Sequence, residues 1–223
     1  MKKYKVGILA IMALGFSATS SSATSTLWEY AFNVDGDVTS NAAATGVNMA
    51  SFNNFSGLGA ITYTTLGVGP HSFLAFFDHE IEEDTNTWFN ETGSATGTAT
   101  TGQTWEIDEP LGIDIYWNFV DNTLDNDIFN GYPSLEDDVS MAMGWKFDLL
   151  ADEIAEITLS LTSMAPSSGF YLTQYDTTSF ESIFFAGNIE ITPGTEPIPE
   201  PATMLLMGTG LAGLFGFRRK KRS

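Results

Sequence analysis

Short runs of apolar residues recur through the middle of this chain, and they constrain its fold more than any other feature. Gly, Asn, Asp and Pro, which favour turns, stand between the runs. In the first run, Trp28, Tyr30 and Phe32 alternate with residues of the opposite face, as on a strand with one buried side. The runs are TLWEYAFNV, GAITYTTLGV, HSFLAFFDHEI, GIDIYWNFV, SMAMGWKFDLL, AEITLSLTS, GFYLTQYD and SIFFAGNIEI.

Repeated short strands separated by turns are typical of an antiparallel sandwich and not of a βαβ fold. We therefore predict an all-β fold, a single antiparallel β-sandwich or jelly-roll-like domain over residues 24–192. Within it we expect loops at Ala42–Gly59 and Thr92–Gln103, where Gly and small residues are concentrated. We also expect a turn at Ala151–Glu153 between two antiparallel strands.

The charges of the chain are sharply segregated. All 28 Asp and Glu lie between Glu29 and Glu200, and Lys146 is the only Lys or Arg in that span, which leaves 28 − 1 = 27 net negative charges. Such a domain repels nucleic acid and anionic lipid headgroups, so we expect no nucleic-acid partner. The chain has no cysteine, so disulfides contribute nothing to its stability.

The N-terminus has the pattern of a signal peptide. Lys2, Lys3 and Lys5 precede an apolar run from Val6 to Phe16, and small residues follow. Eleven apolar residues are too few to span a bilayer, which argues against a permanent anchor. We predict a signal peptide over residues 1–23, cleaved by signal peptidase after Ala23.

The C-terminus has the pattern of a stalk and a membrane span. Residues 193–201 are rich in proline, which favours an extended, semi-rigid linker. Residues 202–217 are uncharged and mostly apolar, about 24 Å as a helix, so we predict a short transmembrane helix. The positive-inside rule places the basic tail, residues 218–223, in the cytoplasm and the acidic domain outside. The stop signal consists of Arg218, Arg219, Lys220, Lys221 and Arg222.

A Pro-Glu-Pro motif stands directly before the apolar segment, at Pro199, Glu200 and Pro201. Motif, apolar helix and basic cluster in this order resemble the PEP-CTERM sorting signal of Gram-negative bacteria that make exopolysaccharide. The resemblance implies recognition by exosortase, a membrane protease that removes the tail near the motif. It therefore implies a transient inner-membrane anchor, and then a cell-surface or extracellular location. The middle of the chain, from about Phe73 to Thr192, is similar to a group of PEP-CTERM proteins of unknown function.

The stretch DNTLDNDIFNGYPSLEDD is a candidate calcium site. Carboxylate oxygens suit calcium, and a loop site in a β-sandwich needs no fixed spacing. An EF-hand is excluded, because Phe129 stands where a ligand belongs. The alternative is a solvated acidic loop without metal. The candidate ligands are Asp121, Asp125, Asp127, Asp137 and Asp138.

Two further acidic stretches have a functional and a plain interpretation. In FFDHEIEED, Asp78, Glu80 and Glu82 share one face of a strand, which favours either a hard cation or a solvated strand end. In WEIDEP, Glu106 and Asp108 share a face, and a pair of carboxyl groups is what a glycosidase uses as acid and base, but a chain with 28 acids contains such pairs by chance. We expect Trp105 to be a core residue.

These patterns contain no nucleophile–histidine motif and no phosphate-binding loop, so we expect no enzyme. We expect an exported surface protein, sorted by exosortase, with a structural role in exopolysaccharide or biofilm matrix. Extracellular polysaccharide is then the expected partner, and no cofactor is expected apart from calcium. The alternatives are a calcium-assisted carbohydrate-binding module and, more weakly, a secreted glycoside hydrolase.

Overall fold

The computed structural model describes residues 25–82, 87–110, 114–129 and 135–194. Eleven strands and one short helix lie within these ranges. The elements are β1 (Ser25–Val34), β2 (Asp37–Ser40), β3 (Val47–Asn53), β4 (Leu58–Leu66), β5 (Gly69–Ile81), β6 (Glu91–Thr96), β7 (Gln103–Asp108), α1 (Ile115–Val120), β8 (Ser140–Leu149), β9 (Glu153–Thr162), β10 (Tyr171–Asp176) and β11 (Ser182–Pro193).

The strands form two antiparallel sheets packed face to face. The five-stranded sheet has the order β2-β1-β5-β8-β7, and the six-stranded sheet has the order β3-β4-β9-β11-β10-β6. This arrangement confirms the predicted all-β sandwich. The predicted signal peptide with Ala23, the motif at Pro199–Pro201, the helix over 202–217 and the basic tail lie outside the described residues. No helix in the described part of the chain is long and apolar enough to cross a membrane.

Aromatic side chains fill the space between the sheets. Phe73 of β5 stacks on Tyr63 of β4 with ring centroids 4.4 Å apart, and Phe77 of β5 meets Phe185 of β11 edge-on at 5.1 Å. Trp145 of β8 is also fully buried in this layer. Such ring pairs add to the free energy gained by burying apolar area, so the inner face of β5 helps to hold the two sheets together.

A second, smaller core lies on the outer face of the five-stranded sheet, and α1 covers it. Ile115 and Phe119, four residues apart on one side of the helix, are fully buried, whereas Trp117 is 55% exposed. They pack against Leu74, Phe76 and Ala142. The predicted strand in GIDIYWNFV is therefore wrong. Its apolar residues fit a helical as well as an alternating pattern, and the apolar outer face of β5 selects the helix.

Two predicted loops contain strands. Val47–Asn53 is an edge strand that pairs with β4, and Glu91–Thr96 is a strand that pairs with β10. Glycine is needed in β6, because a Cβ atom on Gly93 would lie 2.3 Å from Cγ2 of Ile107. The small residues that predicted a loop thus permit close packing of β6 against β7.

Two further expectations need correction. A β-bulge between Leu27 and Glu29 breaks the alternation of β1, so Trp28 is 70% exposed while Tyr30 and Phe32 are buried. The turn after β8 is present at Ala151–Asp152, but β8 and β9 belong to different sheets and do not pair.

The sandwich has two distinct ends. At the exit end, where the described chain stops at Gly194, short turns join β4 to β5 and β8 to β9 across the sheets. At the distal end, Nε2 of Gln174 in the six-stranded sheet donates a hydrogen bond of 2.6 Å to the backbone oxygen of His79 in the five-stranded sheet. Ser25 begins β1 at this distal end, since it pairs with Ile81.

The helical assignment of α1 can be tested with two aromatic residues on the same helix. Phe119→Ala should lower the free energy of unfolding by about 3–5 kcal/mol, because it empties a buried site. Trp117→Ala should change it by about 0.5 kcal/mol or less, because most of that side chain faces solvent. Urea denaturation measures both. On a strand the two side chains would share a face, so equal losses would contradict the helix.

Candidate functional site

Carboxyl groups form a row across the outer face of the five-stranded sheet, near the distal end. Paired residues of neighbouring strands point to the same face of a sheet. Asp78 of β5 pairs with Glu29 of β1 on one side and with Ser140 of β8 on the other. Ser140 in turn pairs with Asp108 of β7. Glu106 lies two residues from Asp108 on the same face. We call Glu29, Asp78, Glu106 and Asp108 the outer carboxyl row.

Asp78 is buried at the centre of this row. Its Oδ1 accepts a hydrogen bond of 2.9 Å from the hydroxyl of Ser140. Burial, together with the negative charges of Asp138 and Glu29, raises the pKa of Asp78 to about 7 in spite of the hydrogen bond from Ser140, which lowers it. Asp78 therefore titrates near neutral pH.

Glu106 is held from outside the sheet by α1. The side-chain amide of Asn118 donates to both carboxyl oxygens of Glu106, at 3.1 and 3.2 Å. Burial, together with the charges of Asp125 and Asp114, raises the pKa of Glu106 to about 8 in spite of the hydrogen bonds from Asn118, which lower it. The helix thus supplies the neutral donor that a buried carboxyl group needs when no base is near.

Glu91 lies between the sheets at the distal end. Its Oε1 accepts a hydrogen bond from the backbone N–H of Ile81 at 3.2 Å, and its Oε2 accepts one from Nε2 of Gln174 at 2.6 Å. Burial raises the pKa of Glu91 to about 9, so this carboxyl group is protonated at neutral pH. Sequence reasoning missed Glu91, although it is the one acid in the ETGSAT stretch.

His79 is buried beside this network. Its Nε2 lies 3.1 Å from the backbone oxygen of Gly57, and burial lowers the pKa of the ring to about 4. A neutral imidazole facing a carbonyl oxygen donates from Nε2. Gly57 is required there, because a Cβ atom would lie 2.1 Å from Nε2 of His79. His79 thus ties the β3–β4 hairpin to β5 as a structural residue.

The solvated strand end predicted for FFDHEIEED is wrong in the part that the structure describes. Asp78 and Glu80 are buried on the outer face, and His79 and Ile81 are buried on the inner face. The alternation of faces agrees with the prediction. What the sequence does not reveal is that both faces of β5 are covered.

The five aspartates predicted as calcium ligands lie in three places. Asp125 and Asp127 are adjacent, since the N–H of Asp127 donates to Oδ1 of Asp125 at 3.3 Å. Asp121 lines a cavity at the exit end, and Asp137 and Asp138 lie beside Glu91. Within the described ranges, no three Asp, Glu, His or Cys side chains converge as metal ligands. The calcium site stays a prediction.

The cavity at the exit end has a volume of about 590 Å³ and contains Lys146. Nδ1 of His71 lies 3.0 Å from Oδ2 of Asp35, and Nε2 lies 3.0 Å from the backbone oxygen of Gly67. The bond to Asp35 raises the pKa of His71. Both ring nitrogens are thus engaged by oxygen atoms of the scaffold. Asp121, Lys146 and Asp148 add charges of both signs to the cavity wall.

Several large aromatic residues are exposed around the distal end. Trp28 lies in the bulge of β1. Phe55 lies in the β3–β4 hairpin, and its backbone oxygen accepts the N–H of Leu27. Trp88 and Phe89 are in contact with ring centroids 5.1 Å apart. Aromatic rings that are not needed in a core are available for flat, partly apolar ligands.

Residues 197–220 match the family model of the PEP-CTERM protein-sorting motif. No curated protein and no solved structure matches the chain. The motif marks the chain as an exported protein that is targeted to exosortase and to the cell surface or the extracellular space. The whole match lies C-terminal to the acidic sandwich, so the motif gives no information about what the sandwich does.

The buried carboxyl groups should make the protein less stable as the pH rises. The unfolded chain loses these protons near pH 4, whereas the folded chain keeps them until pH 7–9. The folded state binds more protons in between, so the free energy of unfolding falls with rising pH across that window.

Asp78→Asn tests this effect, because Oδ1 can still accept from Ser140 and the amide is uncharged. We expect the melting temperature to rise by roughly 5 °C at pH 8 and by clearly less at pH 5, where only the first part of the window between about pH 4 and 7 has been crossed. The same replacement at exposed Asp37 is the control and should have little effect at either pH. An unchanged pH dependence in Asp78→Asn would show that Asp78 is already ionised in the folded state.

Proposed function

We propose that this protein is a non-catalytic component of the cell surface or extracellular matrix, associated with exopolysaccharide. In this proposal signal peptidase cleaves after Ala23, residues 202–217 anchor the chain transiently in the inner membrane, and exosortase cleaves near Pro199–Pro201. The match of residues 197–220 to the sorting motif is the observation that carries the proposal.

The place where the chain leaves the sandwich supports a membrane anchor at one end and a free surface at the other. β11 ends at Pro193, and Gly194 leaves the sandwich at the exit end. The stalk therefore starts at one end of the sandwich, and the exposed aromatic residues lie at the other end. A domain mounted in this way keeps its distal end away from the membrane and open to extracellular polymers.

The charge of the domain supports a role outside the cell rather than on an anionic surface. The span from Glu29 to Glu200 has 27 net negative charges, as derived above, and Lys146 is the only Lys or Arg in it. Repulsion between copies keeps such a domain soluble. Divalent cations would bridge it to anionic polysaccharide, and salt would weaken that contact.

The intact mass of the protein from membrane, cell-surface and medium fractions tests the sorting steps. We expect a membrane form that ends at Ser223 and a surface form that has lost residues 1–23 and ends near Pro199–Pro201. Extra mass on the surface form would identify a covalent anchor or glycosylation. A chain that keeps Ser223 in every fraction would contradict the proposed cleavage.

The motif itself can be separated from the stalk by two substitutions. Pro201→Ala alters the Pro-Glu-Pro motif and should make the membrane form accumulate, while the surface form is largely lost. Pro193→Ala changes a proline at the end of β11, outside the motif, and should leave processing as in the unchanged protein. Equal processing of both variants would argue against recognition at residues 199–201.

A second candidate is a calcium-assisted carbohydrate-binding module, and the exposure of Trp28 favours it. This side chain is 70% exposed beside Glu29 of the outer carboxyl row. An exposed indole next to acidic groups suits a sugar ring, whose C–H face stacks on the aromatic ring while carboxylates accept from hydroxyls.

Affinity gel electrophoresis against a panel of bacterial exopolysaccharides tests this candidate. We expect retardation that Trp28→Ala reduces about tenfold, and that a chelator reduces if calcium assists. Met164→Ala, which truncates another exposed side chain without an aromatic ring, serves as the control and should bind normally. Retardation that is equal in both variants would exclude Trp28 as part of a binding site.

A further inference from the structure

Three large aliphatic side chains stand in solvent at the exit end. Leu66, Val68 and Leu150 are 70%, 74% and 68% exposed, respectively. Leu66 ends β4, and Val68 and Leu150 lie in the two turns that join the sheets; together with Ile154 they line a groove of about 380 Å³. We call Leu66, Val68 and Leu150 the exit rim. Exposed aliphatic groups gathered in one place mark an interaction surface more often than isolated ones do.

The described chain leaves the sandwich within this same groove. Gly194 lines the groove, and its N–H donates to the backbone oxygen of Asp152 in the β8–β9 turn. The point of departure is thus fixed to the turn that carries Leu150. The segment that follows Gly194 therefore starts beside the exit rim.

The length of the following segment limits the distance between the rim and the predicted anchor. Seven residues, 195–201, separate Gly194 from Ala202. Fully extended they span at most about 25 Å, and prolines at 197, 199 and 201 resist coiling. A tether of this length raises the effective concentration of the membrane surface at the rim to the millimolar range or above.

We propose that the exit rim inserts its aliphatic side chains into the interface of a bilayer of zwitterionic phospholipid while the C-terminal segment is anchored. This inference rests on the anchoring step of the proposed function. Leucine and valine favour the apolar boundary of a bilayer over water. Asp152 and Glu153 line the same groove and repel anionic headgroups, so a zwitterionic lipid is the fitting partner.

A single fluorescent label tests the contact, because the chain has no cysteine of its own. Leu150→Cys places an environment-sensitive dye, NBD, at the rim, and Phe180→Cys places it in the β10–β11 hairpin at the distal end. The full chain is reconstituted at one copy per nanodisc in phosphatidylcholine that contains doxyl-labelled lipid. We expect blue-shifted emission and quenching at position 150 and neither at position 180.

Two controls distinguish lipid in the groove from shielding by the chain itself and from proximity without insertion. In a lipid-free amphipathic polymer, the dye at position 150 should report water. Shielding there would assign the groove to the chain's own segment 195–201 and overturn the proposal. With Leu66→Gln and Val68→Gln added to the labelled Leu150→Cys protein, quenching at position 150 should fall by at least half, because the two remaining aliphatic side chains of the exit rim are gone. Unchanged quenching would show proximity without insertion.

Association with the nanodisc tests the anchoring of the C-terminal segment separately from the insertion of the exit rim. Size-exclusion chromatography shows whether the chain travels with the disc. A chain that travels with the disc but keeps position 150 in water overturns the exit rim and leaves the anchoring step intact. A chain that does not travel with the disc contradicts the anchoring step, and with it the proposed insertion of the exit rim.

Discussion

The scarcity of cations is the constraint on which the rest of this structure depends. Between Glu29 and Glu200 there is one Lys and no Arg, so carboxyl groups that the sandwich buries cannot be compensated by salt bridges to basic residues. They are instead held by neutral donors, as Ser140 holds Asp78, Asn118 holds Glu106 and Gln174 holds Glu91. Without a cation, burial favours the protonated form. Proton uptake is therefore part of how this domain folds.

Each of these neutral donors also connects two elements. Asn118 belongs to α1 and fixes it over β7, while Gln174 belongs to the six-stranded sheet and reaches Glu91 and the backbone of His79. Hydrogen bonds to the carboxyl groups thus connect separate elements at the places where apolar packing ends. Loss of the protons from these carboxyl groups would place uncompensated charge at several of these connections at the distal end together, so high pH acts on one region of the domain.

The sequence was sufficient to predict the class of the fold but not what covers its outer face. Alternating runs predict strands directly, since a period of two follows from strand geometry. The helix over Ile115–Val120 was missed because six residues with apolar groups four apart fit both periods, and only the apolar outer face of β5 decides between them. The alternatives for Asp78 were a hard cation or a solvated strand end, and neither includes its burial. The local pattern does not reveal that the outer face of β5 is covered.

Irregularities at single residues, such as a bulge or a close contact of glycine, could not be predicted from the sequence either. The bulge before Glu29 turns Trp28 outward, although the alternation predicts that it faces the core. The Thr- and Gly-rich composition of β6 predicts a loop, because the sequence does not reveal that Gly93 must pass close to Ile107. Both features depend on contacts between distant residues. In contrast, the sorting motif was recognised from the sequence, since it is read as a linear signal.

The two ends of the sandwich give the proposed cleavage a physical consequence. In the proposed anchored state, the exit rim would need only weak affinity for lipid, because the tether would keep the membrane within about 25 Å. The proposed cleavage near Pro199–Pro201 would remove the tether, and three aliphatic side chains beside Asp152 and Glu153 are too few to hold an acidic domain on a membrane. Release would then need no conformational change in the sandwich. The distal end would keep the same surface before and after the cut.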